Sequence, residues 1–230
     1  GDLAGTTRQG NQGVSIGFAC GNVDQGIGGI GIGVAAGQTD QGNYAIALGN
    51  LSGQTDQLAN AIAIGRQAGN ISQDEYSIAI GNNAGYDTQS INSIAIGQQA
   101  GQNTQGAEAV CIGYQAGENS QSVHGLAIGK QAGQTNQGTR AVAIGVLAGQ
   151  TNQGEKGLIV SSRGTTVNDT TAGHIHITSN LASLDFTSAA GVWTQTIGAT
   201  TETIFTKEAL QAVVASSASF ADFKTLVAAL

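Results

Sequence analysis

Two histidines have the spacing that points most directly to chemistry in this 230-residue chain. The stretch GHIHITS, residues 173–179, contains His174 and His176 two positions apart. Because side chains two apart lie on the same face of a β-strand, both imidazoles would point the same way. Imidazole nitrogen is a ligand for transition metals such as Fe and Ni, so the pair is a candidate metal site. The alternative is two histidines that merely lie on a strand surface.

A column of carboxylates is a second candidate site. Asp24, Asp40 and Asp56 recur at intervals of sixteen residues. If they stack, a cation such as Ca²⁺ would relieve their mutual repulsion. The column changes to serine at Ser72, and the chain lacks the nonapeptide repeat that binds calcium, so we expect a solvated column instead.

Catalysis has little support in the sequence. Asp169 and Asp185 could act as paired acids in glycoside cleavage only if folding brings them within about 5–9 Å of each other. The chain has no GxSxG nucleophile elbow. Its glycine motifs lack the lysine and the strand–loop–helix context of a phosphate-binding loop. We therefore predict that the protein is not an enzyme and requires no cofactor, with a transition metal ion at His174 and His176 as the one candidate.

Composition narrows the classes of partner. The formal net charge is −7 and only 8 residues are Lys or Arg, whereas nucleic-acid binding needs clustered basic residues. No run of about 18 apolar residues is present, so we expect no membrane insertion. Glycine accounts for 36 residues and aromatic residues for 4% of the chain. We therefore expect a core of alanine and aliphatic side chains in repeated layers.

A sixteen-residue repeat runs through residues 1–160 and determines the strands and corners on which the candidate sites would lie. One glycine follows each apolar run, at Gly17, Gly33, Gly49, Gly65, Gly81, Gly97, Gly113, Gly129 and Gly145. A second glycine stands four residues after each of these glycines. A glutamine stands four residues after each second glycine, and the resulting glutamine column includes Gln137 and Gln153. The unit reads GxxAGxxxQGxx(A/G/S)(I/V/L)A(I/V/L). Such internal periodicity is typical of a repeat architecture.

Each unit ends in an alternation of small and large residues, such as Ile94, Ala95 and Ile96, which is typical of a β-strand. The fixed glycines would break a helix, and they suit tight corners because glycine tolerates positive φ. We therefore predict an all-β parallel β-solenoid of ten sixteen-residue turns, stacked about 4.8 Å apart. The glutamines would form amide ladders between turns, or hold the backbone of their own turn.

The two faces of the predicted strand should have different roles. We expect the Ile, Val and Leu residues to fill the core of the coil and the alanines to form a flat strip outside it. The strip comprises Ala47, Ala63, Ala79, Ala95, Ala127 and Ala143. Because exposed apolar strips mark interfaces, copies of the chain would pack along it. Cys20 and Cys111 stand at alanine positions, too far apart to pair, and are expected to be buried.

The repeat pattern stops after Val160, where Ser161 replaces the next glycine. We predict a β-rich cap or tip over residues 161–203, because a solenoid needs its open end covered. Trp193 is the candidate receptor-binding residue, since an aromatic face packs well on a sugar ring; the alternative is a core aromatic of the cap. Residues 204–230 are predicted to form a helical segment, with Thr206 as the N-cap of a helix over 207–215.

At this point the chain resembles a known family. The strands AIAIG and AVAIG are similar to the NSVAIG-type repeats of the YadA-type trimeric adhesin head. CIGYQAG at 111–117 is similar to repeats of phage tail fibres and of surface proteins of large DNA viruses. The resemblance covers about residues 1–160 and implies a left-handed parallel β-roll assembled as a homotrimer. If the histidine face met the axis of such a trimer, six imidazoles could bind an octahedral metal ion.

The resemblance also directs the functional prediction. The adhesin head usually has a shorter repeat than sixteen residues, which favours the viral and phage variants. We predict a structural fibre or attachment protein on the virion surface or otherwise extracellular, which binds a glycan or protein receptor on a host cell. Since Gly1 is in phase with the repeat, we expect the chain to be part of something longer.

Two alternative functions stay open. One is the head domain of a bacterial trimeric adhesin. The other is an ice-binding β-solenoid, which would need a regular threonine array. The relevant column reads Thr39, Thr55, Ile71, Asp87, Asn103, which is irregular.

Overall fold

The computed structural model describes residues 1–162 and 164–178, together with the backbone of residues 182–187, 192–197 and 200–205. The described part of the chain is all-β and contains no helix. Its strands are β1 (Thr7–Gln9), β2 (Val14–Ile16), β3 (Val23–Gln25), β4 (Ile30–Ile32), β5 (Thr39–Gln41), β6 (Ile46–Leu48), β7 (Thr55–Gln57), β8 (Ile62–Ile64), β9 (Ile71–Gln73), β10 (Ile78–Ile80), β11 (Ile94–Ile96), β12 (Asn103–Gln105), β13 (Val110–Ile112), β14 (Asn119–Gln121), β15 (Leu126–Ile128), β16 (Thr135–Gln137), β17 (Val142–Ile144), β18 (Leu158–Ser161), β19 (Ile175–Thr178), β20 (Ala182–Thr187), β21 (Val192–Ile197) and β22 (Thr200–Phe205).

The strands form two sides of a parallel β-solenoid, which confirms the prediction of an all-β parallel solenoid, with about eleven turns instead of the ten predicted. One side is the aliphatic sheet, in which strands β2, β4, β6, β8, β10, β11, β13, β15, β17, β18 and β19 stack in parallel. The other side is the polar sheet, which consists of β1, β3, β5, β7 and β9 and, after an interruption, of β12, β14 and β16. Partner residues such as Ile78 and Ile94 are sixteen apart in both sheets up to β18.

The predicted assignment of the two strand faces is wrong, because the alanines lie inside and the large aliphatic residues lie outside. All six alanines of the predicted outer strip have no exposed surface. Ile96, in contrast, is 36% exposed and Ile112 is 37% exposed. The interior has little free space at the alanine positions: a methyl group added at Gly101 would already lie 3.3 Å from the Cβ of Ala95. Alanine methyl groups therefore fill the interior beside the aliphatic sheet, and the isoleucines cover its outer surface.

A substitution in the interior tests this assignment. We expect Ala95→Leu to lower the free energy of unfolding by about 3 kcal/mol or more, because overpacking a filled interior forces the backbone apart. Ala107→Leu is the matched control, since Ala107 is half-buried and outside the core. Urea unfolding followed by circular dichroism measures both. Equal stability of the two variants would show that Ala95 is not enclosed.

From Gln25 onward the glutamine column lies inside the coil, where its amides bond to backbone carbonyls and, except between Gln89 and Gln105 and between Gln137 and Gln153, to the next glutamine of the column. Gln57 is fully buried, and its Nε2 donates to the carbonyl oxygens of Ile46 (2.9 Å) and Ala61 (3.4 Å). The same Nε2 donates to Oε1 of Gln73 at 3.0 Å, and Gln57 Oε1 accepts from Gln41 at 3.1 Å. The column therefore satisfies buried backbone carbonyls and links neighbouring turns.

The two late glutamines singled out in the sequence make the same backbone contacts. Gln137 Nε2 donates to the carbonyl of Leu126 at 2.8 Å and to that of Ala141 at 2.9 Å. Gln153 Nε2 donates to the carbonyl of Val142 at 2.8 Å and to that of Gly157 at 3.0 Å. Both residues thus hold the backbone of the adjacent strands from inside the coil.

Parallel stacking continues for one turn beyond Val160. Strand β19 pairs with β18 in a register of seventeen residues, so that Ile159 lies opposite His176. Strands β20, β21 and β22 then extend the aliphatic sheet as antiparallel neighbours. The predicted segment boundaries at 160/161 and 203/204 stay predictions. Strand β22 runs to Phe205, and the helix predicted over 207–215 lies outside the described residues.

Candidate functional site

The two histidines of the candidate metal site point into the coil. His176 is opposite Ile159, whose side chain is fully buried. Because residues paired in register on parallel strands point to the same side of the sheet, the imidazole of His176 faces the interior. The expected position of these imidazoles on an intersubunit axis is therefore wrong, since the outer surface of β19 carries Ile175 and Ile177 instead.

Asp169 is the partner of this histidine pair. Its Oδ2 contacts Nδ1 of His174 and lies 4.0 Å from Nδ1 of His176. The side chains of His174 and Asp169 are only 14% and 11% exposed. This contact ties the loop before β19 to that strand at the end of the solenoid. A glycosidase-like pairing of Asp169 with Asp185 stays a prediction: the backbone of Asp185 pairs opposite His176, and its side chain lies outside the described residues.

Metal coordination is not evident in the described residues. They contain no cluster of three or more His, Cys, Asp or Glu side chains arranged to hold an ion. Two imidazoles and one carboxylate do converge near β19, where Asp169 contacts His174. Metal binding by His174 and His176 stays a prediction.

The aspartate column lies on the outer surface of the polar sheet. Asp24, Asp40 and Asp56 all have left-handed backbone conformations, with φ between 52° and 54°. Asp24 pairs with Arg8 of the preceding turn, and Asp40 and Asp56 are exposed. These positions are those expected of a solvated column.

Both cysteines are free and buried, as their alanine positions predicted. Burial raises the pKa of the Cys20 thiol and of the Cys111 thiol, which keeps both in the unreactive protonated form.

Thiol labelling should therefore report on unfolding. We expect iodoacetamide at pH 8 to modify both cysteines at least a hundredfold more slowly in the folded protein than in urea, because the nucleophile is the thiolate. Mass spectrometry of each tryptic peptide gives the two rates separately. Fast modification of Cys111 in the folded protein would contradict its enclosed position.

A groove that the repeat pattern did not predict runs along three turns of the polar sheet. Its volume is about 260 Å³, and its lining is Asp56, Leu58, Ser72, Asp74, Thr88, Gln89 and Ser90. The lining comes from β7, from β9 and from the next turn, in which isolated bridges at Gln89 replace a strand of the polar sheet. A signal was present in the sequence: the glycine that follows the glutamine at Gly42 and Gly106 is replaced by Leu58, Asp74 and Ser90 in the turns between.

The outer surface of the aliphatic sheet is a long, regular apolar feature of the described chain. Two columns of Ile, Val and Leu run along it, from Val14 to Ile175 and from Ile16 to Ile177. Every residue of these columns is half-buried or exposed, up to 57% for Ile16. Eleven stacked strands at about 4.8 Å spacing make this surface roughly 48 Å long. We call it the aliphatic face.

Two further findings bear on function. Among the described residues, no helix combines the length and the hydropathy that a membrane crossing requires. Comparison with models of protein families, with curated proteins and with solved structures finds no match to this chain. The case for its function therefore depends on the aliphatic face, the groove and the histidine pair.

Proposed function

We propose that this chain forms the rod of a homotrimeric fibre or attachment protein on the surface of a virus or phage particle. The observation that carries the proposal is the aliphatic face, which leaves two continuous columns of branched side chains uncovered in the single chain. Apolar surface of this extent and regularity marks an interface between proteins. A second copy of the same face is the partner that matches its length and spacing.

Assembly along the aliphatic face explains why large residues lie outside the coil. Each isoleucine that leaves water on assembly contributes about 25 cal/mol for every Å² of apolar surface buried. Three chains packed in this way would place their isoleucines at a common centre and their polar sheets outward. The number three and the left-handed coil come from the resemblance to the YadA-type repeats.

The assembled rod would present its polar surface and its distal end to a host cell. The antiparallel strands β20–β22 follow the last parallel strand and would cap that end. Trp193 belongs to β21, and its side chain lies outside the described residues. Its contact with a glycan or protein receptor stays part of the proposal. A bacterial adhesin head would use the same face, whereas ice binding has no support in the irregular outer column of the polar sheet.

Charge on the aliphatic face tests the proposal. We expect Ile96→Asp to convert the trimer to a monomer, because assembly would bury three unpaired carboxylates. Thr104→Asp is the matched control, because it adds the same charge at an exposed position of the polar sheet. Light scattering after gel filtration gives the mass of each variant, and circular dichroism checks its fold. The same mass for both variants would refute assembly through this face.

A further inference from the structure

We propose that the groove of the polar sheet binds a neutral sugar residue of a host-surface glycan. The proposal rests on the attachment function above and locates its receptor site on the side of the rod. The first observation is that the glycine which usually follows the column glutamine is missing in some turns. At Gly42 and Gly106 an added Cβ would lie 2.5 Å and 2.6 Å from backbone atoms of the next turn. The three turns between these glycines carry Leu58, Asp74 and Ser90 at that position, so three consecutive corners differ from the glycine corners, whereas Ser122 is a single later replacement.

The backbone changes at the same place. Ser72 and Thr104 have φ values of 51° and 50°, like their column neighbours, whereas Thr88 between them is not left-handed. The pairing of the polar sheet is correspondingly reduced to a single bridge on either side of Gln89. The groove is therefore a local feature of three turns, and Gln89 is the one lining residue that belongs to the buried glutamine column.

The polar groups of the groove are unused within the described chain. The side chains of Asp56, Ser72, Thr88 and Ser90 make no hydrogen bond to any described residue. Asp74 uses one carboxylate oxygen, Oδ1, to accept from the backbone N–H of Glu75 at 2.8 Å. Glutamines elsewhere on the polar sheet pair with each other instead, as Gln54 does with Gln38 at 2.8 Å. The groove thus offers carboxylate acceptors and three hydroxyls to a ligand.

These groups match a sugar better than any anion. Carboxylates accept strong hydrogen bonds from hydroxyl donors, and serine and threonine can donate to ring and hydroxyl oxygens. Leu58, which is 42% exposed, supplies an apolar surface for the C–H face of a sugar ring. No Lys or Arg lines the groove, so sialylated and sulfated sugars would meet two uncompensated carboxylates. A volume of about 260 Å³ is just below the roughly 300 Å³ lower limit of drug-sized sites and suits one sugar residue.

The groove would stay open in the assembled rod. Its lining residues belong to the polar sheet and its corner, on the opposite side of the coil from the aliphatic face. A homotrimer would therefore display three such grooves, and multivalent attachment raises the avidity of weak individual sites.

An array that contains neutral, sialylated and sulfated glycans tests the proposal with the full-length protein. We expect binding to neutral glycans only, and Asp56→Ala should weaken it at least tenfold. Asp40→Ala is the matched control: Asp40 is exposed, has φ of 53° against 52° for Asp56, and lies one turn outside the groove. We expect it to change binding less than twofold. A second variant, Thr88→Val, should also weaken binding, since it removes a hydroxyl at nearly constant size.

Three results would overturn the assignment. Equal binding by Asp56→Ala and Asp40→Ala would rule out the groove as the binding site. Loss of glycan binding only in Trp193→Ala would place the binding site at the tip. Binding that is abolished by EDTA and restored by Ca²⁺ would identify the carboxylates as a cation site instead. An array without any bound neutral glycan would also reject the groove. The rod assembly itself is judged independently, by the mass of the Ile96→Asp variant.

Discussion

Gly97→Ala is expected to lower the free energy of unfolding by about 4 kcal/mol, enough to unfold a marginally stable chain. Gly97 has φ of +129°, a conformation that is essentially restricted to glycine and costs other residues about 1–3 kcal/mol. An added Cβ would also lie 2.5 Å from the carbonyl oxygen of Gly113 in the next turn. That atom belongs to a backbone held by the stack, so relief of the clash requires separation of two turns. Urea unfolding monitored by circular dichroism measures the effect.

Gln98→Ala provides the control for Gly97→Ala. Gln98 is the next residue, is exposed, and has no positive φ. We expect its replacement to change the free energy of unfolding by less than about 0.5 kcal/mol. If both variants unfold at the same urea concentration as the parent, the corner glycines do not set the stacking distance.

Gln57→Met is expected to cost about 2–5 kcal/mol of stability. Methionine has a similar length but no amide, so the carbonyls of Ile46 and Ala61 lose their donor inside a closed core. Each buried polar group left without a partner costs about 1–3 kcal/mol. The amides of Gln41 and Gln73 lose one partner each as well. Thermal unfolding followed by circular dichroism should show a correspondingly lower midpoint.

Gln54→Met is the matched change outside the core. Gln54 is half-buried on the polar sheet, where it donates to Gln38 and accepts from Asn70. Water can replace both bonds there, so we expect a loss below about 1 kcal/mol. A larger loss for Gln54→Met than for Gln57→Met would contradict the role of the inner amide column.

The sequence was sufficient to predict the register of the solenoid but not the orientation of its strands. A strict interval of sixteen requires Ile78 to stack on Ile94, because any slip would misalign every glycine corner. Alternation of Ile94, Ala95 and Ile96 shows only that the two faces differ. The usual rule that larger apolar residues lie inside fails here, because the interior between the two short strands of each turn also holds the glutamine column, which leaves only methyl-sized space at the alanine positions. Gln105 and Ala95 are both fully buried, and their side chains share this narrow interior.

The candidate sites were predicted less well, for two physical reasons. His174 and His176 were correctly placed on one face of a strand, but the predicted orientation of the strands put that face outside the coil, whereas His176 faces the interior near Asp169. The groove is formed by residues that differ from the repeat, and a repeat pattern describes only the residues that recur. Replacement of a glycine that has no room for a Cβ, as at Asp74, is the signal that could have found it.

The molar mass of the unmodified protein in solution tests the central claim most directly. The claim is that the aliphatic face is an interface between copies of this chain, and one chain has a mass of 22.9 kDa. We expect sedimentation equilibrium to give a mass three times that of one chain, unchanged on dilution through the micromolar range. A single species of 22.9 kDa at every concentration, with the circular dichroism of a folded β-protein, would contradict the account.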